Sequence, residues 1–454
     1  MKTNKNISLL QDAPISKALI RLGIPTMIGM MVSSLYNLVD TFFVGTLGTS
    51  QQAAVSAVFP LSLIMLGVGL LFGSGAGSYL ARLLGMGDKK KADECASTAL
   101  FLATIIGIII VAVMLIGINP LLILLGCTQT MLPYAREYAI PFILGLAINV
   151  FNVTLSNLAT NEGQPMYSMR SMLVGGLINM FLDPLFILTF NMGVFGAALA
   201  TLISRLVSMT LYLFYLLGKR SSMTFSVRNV NVNKKLLGEI AKIGIPTMVY
   251  QILCSLALSI TNNVAKGYGD SAIAALGIVN RIATLGMMML MGFLKGYQTL
   301  VGFNYGAGRY DRVRKATDTV LLWSTVFCAI GFLIMIIFRT ALISAFSPRD
   351  VLVVEIGTKA LILNAITFLT IGFQLVYSTK FMGMGSAVSG GLISLGRQGF
   401  FFIPVIYLLS AVFGLNGLLL AQPVADILSM ILVCVLAYRN HKAENLLIGK
   451  FVMD

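Results

Sequence analysis

Apolar runs of about 20 residues recur along the whole chain, separated only by short polar breaks. A helix needs about 20 mostly apolar residues to cross the hydrocarbon of a bilayer. Inside that layer every backbone N–H and C=O must find a partner within the protein, which only helices and closed barrels achieve. Runs this long and unbroken do not alternate as barrel strands do, so the pattern predicts an all-α polytopic membrane protein. Composition agrees: 57% of the 454 residues are apolar and 11% are charged, against roughly a quarter charged in soluble domains. A soluble enzyme, a secreted disulfide scaffold and a disordered chain are excluded.

The formal charge of +15 does not point to nucleic acid, because the basic residues sit in short loops between apolar runs, where orientation signals belong. Cys95, Cys127, Cys254, Cys328 and Cys434 are scattered and without CxxC spacing, so they predict neither a disulfide frame nor a metal cluster. The lone histidine, His441, falls in a polar tail, which leaves no histidine triad and no enzyme assignment. The polar N-terminus MKTNKNISLLQDAPISK lacks the short apolar core of a cleavable signal, so the first span serves as the insertion signal. GYGD at 267–270 matches the GxGD string of intramembrane aspartyl proteases, but Asp270 falls in a short outer loop with no partner acid at its depth, and reads as a turn.

Twelve spans are expected near 18–45, 53–81, 96–118, 134–159, 167–189, 194–217, 240–265, 273–303, 318–338, 352–379, 387–411 and 415–438. They divide the chain into a cytoplasmic N-terminus (1–17), an N-lobe (18–217), a cytoplasmic linker (218–239), a C-lobe (240–438) and a cytoplasmic C-terminus (439–454). With both ends in the cytoplasm, 23 of the 32 Lys and Arg fall on the cytoplasmic side and four (Arg136, Lys266, Arg339, Arg349) outside. The positive-inside rule selects that orientation, which places the chain in the cytoplasmic (inner) membrane as a multi-pass protein.

The two halves repeat. LGIPTM at 22–27 recurs as IGIPTM at 243–248, a shift of 221. Held ungapped at that shift, residues 22–87 match 243–308 at sixteen positions, including Gly48/Gly269, Ser50/Ser271, Phe72/Phe293, Gly85/Gly306 and Gly87/Gly308. Six spans per copy give both copies one orientation, so the relating axis lies along the membrane normal. Two pseudo-symmetric six-helix bundles around a central cavity is a transporter architecture.

Polar residues present in one copy alone are not explained by the shared fold. Asp40, Asp183 and Asp426 lie inside spans, where an acid costs a few kcal/mol in lipid and calls for a functional reading first. Asp40 maps onto Thr261, Asp183 onto Ile403 at a shift of 220, Asn179 onto Gly399 and Thr201 onto Gln422. At a rise of 1.5 Å per residue, Asp40, Asp183 and Thr201 all fall in the outer half of the bilayer. Asn179 shares a helix face with Asp183, and Tyr36 with Asp40, by the i,i+4 relation. Two carboxylates in one low-dielectric chamber repel, and a proton or a bound Na⁺ relieves the repulsion, with Asn179 and Thr201 offering neutral oxygens. The alternative is that the acids simply bond neighbouring helices. Pro25 removes a hydrogen bond from span 1 and permits either a static kink or a cation-sensitive bend. In span 4, one of Asn149, Asn152 and Asn157 is a further candidate for the cluster.

The C-lobe carries basic residues within spans, Arg281, Lys295 and Arg397, together with Asp426, which stands where Arg205 stands in the N-lobe. A compensated Lys295–Asp426 or Arg397–Asp426 pair is expected, with substrate contact as the alternative. Met287, Met288, Met289 and Met291 offer either filler or a soft, adaptable pocket surface.

VDTFFVG at 39–45, NEGQP at 161–165, NMFLDPLFI at 179–187, GVFGAALAT at 193–201 and FNYGAGRYDRVRKA at 303–316 resemble the multidrug and toxic compound extrusion (MATE) family, and the resemblance spans essentially the whole chain. Asp40, Asn179, Asp183 and Thr201 are similar to the N-lobe cation site of its DinF-like and MepA-like branch. The acidic C-lobe positions of the NorM branch are missing. The resemblance implies an antiporter in which inward H⁺ or Na⁺ drives export of bulky amphipathic, often cationic, drugs and toxins by alternating access, with no cofactor beyond the coupling ion. Flipping of a lipid-linked precursor, on a related two-bundle fold, is the alternative function. No nucleic-acid partner is expected, and twelve spans suffice for a monomer.

Overall fold

The computed structural model describes residues 5–218, 221–346 and 350–451. Arg349, counted above among the outer basic residues, lies outside the described residues, as do Lys219 and Arg220 of the linker, the outermost ends of both tails, and the side chains of Asp270 and His441.

Among the described residues every regular element is helical. The first half consists of α1 (Ile15–Gly45), α2 (Ser50–Gly85), α3 (Lys89–Ile116), α4 (Leu132–Asn161), α5 (Pro165–Pro184) and α6 (Gly193–Leu217). The second half opens with α7 (Lys234–Ala265), α8 (Asp270–Gly306), α9 (Tyr310–Ile337) and α10 (Val351–Met384). Among the described residues eleven stretches are long and apolar enough to cross a membrane, and the last, Ala387–Arg439, holds two crossings. It folds back at Gly414, whose φ of 58° and ψ of −133° suit a residue without a Cβ. That break separates α11 (387–413) from α12 (415–439) and brings the count to twelve. Large apolar side chains such as Ile108, Ile109 and Val113 on α3 stay exposed, as expected of a surface whose solvent is lipid.

The repeat has a backbone cause. Gly48 and Gly269, which match at the 221 shift, both have positive φ (123° and 94°), and so do Gly87 and Gly308 (76° and 71°). The same two turns are built twice, each at a position that disfavours any side chain.

Close approach explains other matched glycines. A Cβ on Gly75 of α2 would run into the Ile240 carbonyl of α7, and one on Gly244 of α7 into the Leu71 carbonyl of α2. Related by the repeat, a Cβ on Gly296 of α8 would meet the Leu22–Gly23 backbone of α1. Gly85 faces the Phe303 carbonyl in the same way, and Gly306 faces that of Arg82. Only glycine lets the helix backbones of the two halves touch so closely. The polar contacts between halves gather at the same end: Ser78 Oγ donates to the Met382 carbonyl at 2.5 Å, and Arg82 Nη2 pairs with Glu239 Oε2 at 3.2 Å. The halves are thus closed toward the face that carries the linker.

On that face Glu162, at the end of α4, is 1% exposed and accepts a hydrogen bond from Ser221 Oγ at 2.6 Å, fastening the α4–α5 turn to the linker. Burial pushes its carboxyl up to about 8, against the opposing pull of the Ser221 hydrogen bond.

Candidate functional site

α1 and α5 pack through small residues. A Cβ on Gly29 would lie 3.1 Å from Met172 Sδ, and one on Gly176 would lie 3.1 Å from Val32 and 3.4 Å from the Tyr36 ring. Tyr36 and Gly176 are therefore level, and both helices run away from the linker face. At 1.5 Å per residue, Asp40 stands about 6 Å further along, between Asn179 at about 4.5 Å and Asp183 at about 10.5 Å. Asp40 and Asp183 lie within electrostatic reach of each other.

α6 supplies the third wall. Asn191 (φ 51°) and Gly193 (φ 56°) make the tight reversal after α5, which lays α6 back along it. That reversal brings Thr201 level with Asn179: Asn179 Nδ2 lies 3.4 Å from Asp183 Oδ1 and 3.5 Å from Thr201 Oγ1. Both contacts are long for hydrogen bonds to a nitrogen donor. Immediately beyond Asp183, Pro184 has no N–H to give the Met180 carbonyl, and the helix widens into a π turn over Leu185–Thr189, a distortion common at functional sites.

The acceptor balance defines the chemistry. Asp183 is 0% exposed and Asn179 1%. Asp40 Oδ1, Asp183 Oδ2 and Asn179 Oδ1 are all buried without a hydrogen-bond partner. Buried polar atoms left over like this call for an explanation, and those of Asp40, Asn179 and Asp183 are all oxygens. Protons on the carboxyls, or a hard monovalent cation held by oxygen ligands, would satisfy them.

The structure thus brings together Asp40, Asn179, Asp183, Thr201 and Tyr36. Pro25 is buried in α1, which runs unbroken through it, with Thr26 Oγ1 donating to the Leu22 and Gly23 carbonyls at 3.1 and 2.9 Å. Of the three α4 asparagines, Asn152 is the one tied to this region, Nδ2 donating to the Arg205 carbonyl at 2.9 Å. Asn157 bonds within its own helix, to the Val153 carbonyl. The sequence pointed to Arg205 only as the repeat mate of Asp426, and gave Tyr138 no role. Arg205 lies within electrostatic reach of Asp40, Tyr36 and Tyr138, and the signal was its position one helical turn past Thr201.

In the second half the expected compensation is made by Arg397. Its Nε donates to Asp426 Oδ1 at 2.8 Å, Gln422 Nε2 adds a second hydrogen bond to that oxygen at 2.9 Å, and Gln374 Nε2 donates to the Asp426 carbonyl. Met287 Sδ lies 3.4 Å from Arg397 Nη1, and Met291 is half-buried one turn further along α8. Lys295 does not join the pair. It is half-buried on α8 and has no ion partner among the described residues. Arg281 is exposed.

The MatE family profile matches residues 25–185 and 246–408, once in each half. The chain belongs to the MatE family. It is 30% identical over 449 residues to the multidrug export protein MepA of Staphylococcus aureus strain NCTC 8325, covering 96% of this chain and 97% of that one. To MepA of Staphylococcus saprophyticus it is 28% identical over 441 residues, with the same coverage. Among solved structures it is similar to a multidrug resistance MATE family transporter in an outward-facing conformation, with a TM-score of 0.92, 27% identity, and 98% and 100% of the two chains covered. A MATE in a bent conformation matches with a TM-score of 0.91 at 27% identity, covering 98% and 99%. The MatE match takes in α1 from Pro25 and α5 through Asp183, two of the three walls of the chamber.

Proposed function

We propose that this protein is a secondary active multidrug exporter of the cytoplasmic membrane, in which entry of H⁺ or Na⁺ through the first-half chamber drives export of amphipathic, often cationic, compounds. The observation that carries the reading is the set of buried, unpartnered oxygens on Asp40, Asp183 and Asn179, in a half whose repeat partner leaves no buried carboxylate oxygen unpartnered among the described residues. The names of the similar MepA proteins support drugs as the exported class.

The linker face is the cytoplasmic one, since most of the basic loop residues lie there. Closure at that face then corresponds to an outward-open state. In it the chamber loads its cation from outside. Loading cancels the repulsion between Asp40 and Asp183 and lets α1 and α5 draw together around Tyr36 and Gly176. This change weakens the grip on substrate, the glycine contacts at the cytoplasmic end part, and the cation leaves inward as substrate enters. Coupling follows only if the cation binds the two states with different free energy, and a chamber whose oxygens are spaced by helix packing supplies that difference. A flippase of lipid-linked precursors would use cavity bases for an anionic headgroup; Arg397 is committed to Asp426, which leaves Lys295 as the half-buried base available to that reading.

The test is ethidium efflux from vesicles under imposed cation gradients with Asp40→Asn and Asp183→Asn. Loss of gradient-driven efflux, with drug binding retained, is expected. Unchanged efflux by correctly inserted variants would refute the assignment.

A further inference from the structure

Each half carries one acid and one base on its last two spans, on opposite helices in the two halves. In the first half the acid is on α5 (Asp183) and the base on α6 (Arg205). In the second the base is on α11 (Arg397) and the acid on α12 (Asp426), and Asp426 is the repeat mate of Arg205. The second-half pair is closed, at 2.8 Å and with Gln422, the mate of Thr201, completing the acceptor. The first-half pair is open. Arg205 makes no ion pair with Asp183 or Asp40, its Nη1 is buried without a hydrogen-bond partner, and so is Asp183 Oδ2.

Arg205 nevertheless stands on α6 one helical turn past Thr201. Its stem lies over Gly145 of α4, where a Cβ would stand 3.1 Å from Nη1 and 3.4 Å from Cδ. Its guanidinium carbon is 5.1 Å from the centre of the Phe142 ring, one turn back along α4. Glycine and ring form a slot for the side chain, and the guanidinium lies within electrostatic reach of Tyr36, Tyr138 and Asp40. A guanidinium does not lose its proton in a protein, so it brings one fixed positive charge that no pH change removes.

We propose that Arg205 is a tethered cation of the coupling chamber, offsetting one of its two carboxylates so that each cycle takes one mobile monovalent cation or proton rather than two. The inference rests on the cation-coupling reading above and adds the occupancy. Two carboxylates against one guanidinium leave a single uncompensated negative charge. One proton or one Na⁺ neutralises it, and a second would add like charge in a low-dielectric site, where charge–charge energies are large. No hydrogen bond holds Nη1 in the slot. When the mobile cation leaves, the head can swing from its slot against Asp40, so the acids do not stand bare during the return step.

Two measurements test this. In purified protein, with Glu162→Gln as the background wherever protons are titrated, the Na⁺ or proton concentration giving half of the cation-induced rise in melting temperature reports binding without transport. Arg205→Gln should lower that concentration about tenfold or more, Arg205→Lys should keep it near wild type, and adding Asp40→Asn to Arg205→Gln should move it back up. Equal half-saturation in Arg205→Gln and wild type would overturn the proposal. In proteoliposomes, the substrate gradient that just halts cation flux gives the coupling ratio of the unmodified protein. One cation per monovalent substrate is expected and two would overturn the proposal, even if Arg205→Gln does not fold. A cation effect on melting that survives Asp183→Asn would overturn the coupling reading itself, and the occupancy with it. Loss in Asp183→Asn with no change in Arg205→Gln would overturn the occupancy alone.

Discussion

Arg82 Nη2 stands 3.2 Å from Glu239 Oε2, with the arginine side chain 9% and the glutamate 28% exposed, so this ion pair ties α2 of the first half to α7 of the second at the linker face. A charge-assisted, largely buried contact of this kind contributes about 1.5–3 kcal/mol, and truncating one partner leaves the other charge poorly solvated. Glu239→Gln is expected to shift the closed–open equilibrium at this face by roughly tenfold toward opening. Alkylation of a cysteine placed at Ser78, applied from the linker side, would read that shift as faster labelling.

The glycine crossings set a stricter condition. The Cβ of an alanine at Gly75 or Gly244 meets a backbone carbonyl rather than a movable side chain, so the helices must part to accept it. Gly75→Ala and Gly244→Ala should each cut drug efflux by about tenfold or more while the protein still elutes as a folded species, the cost resembling that of overpacking a core, about 1–3 kcal/mol. Wild-type efflux in both variants would mean that the closed contact is dispensable.

Glu162 gives a stability signature with a definite sign. Its carboxyl sits at about 8 in the folded protein against an ordinary 4.5, so the folded state holds a proton that the unfolded chain has released. Stability therefore falls as pH rises from about 4.5 to about 8 and levels off above that. Glu162→Gln should flatten this part of the pH profile of the melting temperature. At pH above about 8 it should melt higher than the parent protein, because an ionised carboxylate no longer has to stay buried. A profile unchanged by the substitution would place the pH response elsewhere.

The fold was legible because a bilayer leaves so few options: apolar runs, basic loops and a 221-residue repeat carried the twelve spans and the doubled halves. The chamber was legible through asymmetry, since Asp40, Asn179, Asp183 and Thr201 have no polar counterparts of like kind in the second half. Three features were less accessible. The π turn after Asp183 depends on how the Pro184 gap is absorbed by neighbouring helices. The glycines of LGIPTM and its repeat read as ordinary small residues until helix crossings show backbone against backbone. Arg205 looked like one more charge inside a span, and its placement depends on Gly145 and Phe142 of a helix about 60 positions away in sequence, a tertiary fact that periodicity does not encode.

The central claim is that cation movement is tied to drug movement through Asp183. Proteoliposomes in which a dye gradient is the sole driving force, monitored for uptake of radiolabelled sodium and for a change in lumenal pH, test it most directly. The account predicts cation flux opposite to the dye in the parent protein and none above background in Asp183→Asn. Equal cation flux in the two proteins, at matched incorporation, would contradict it.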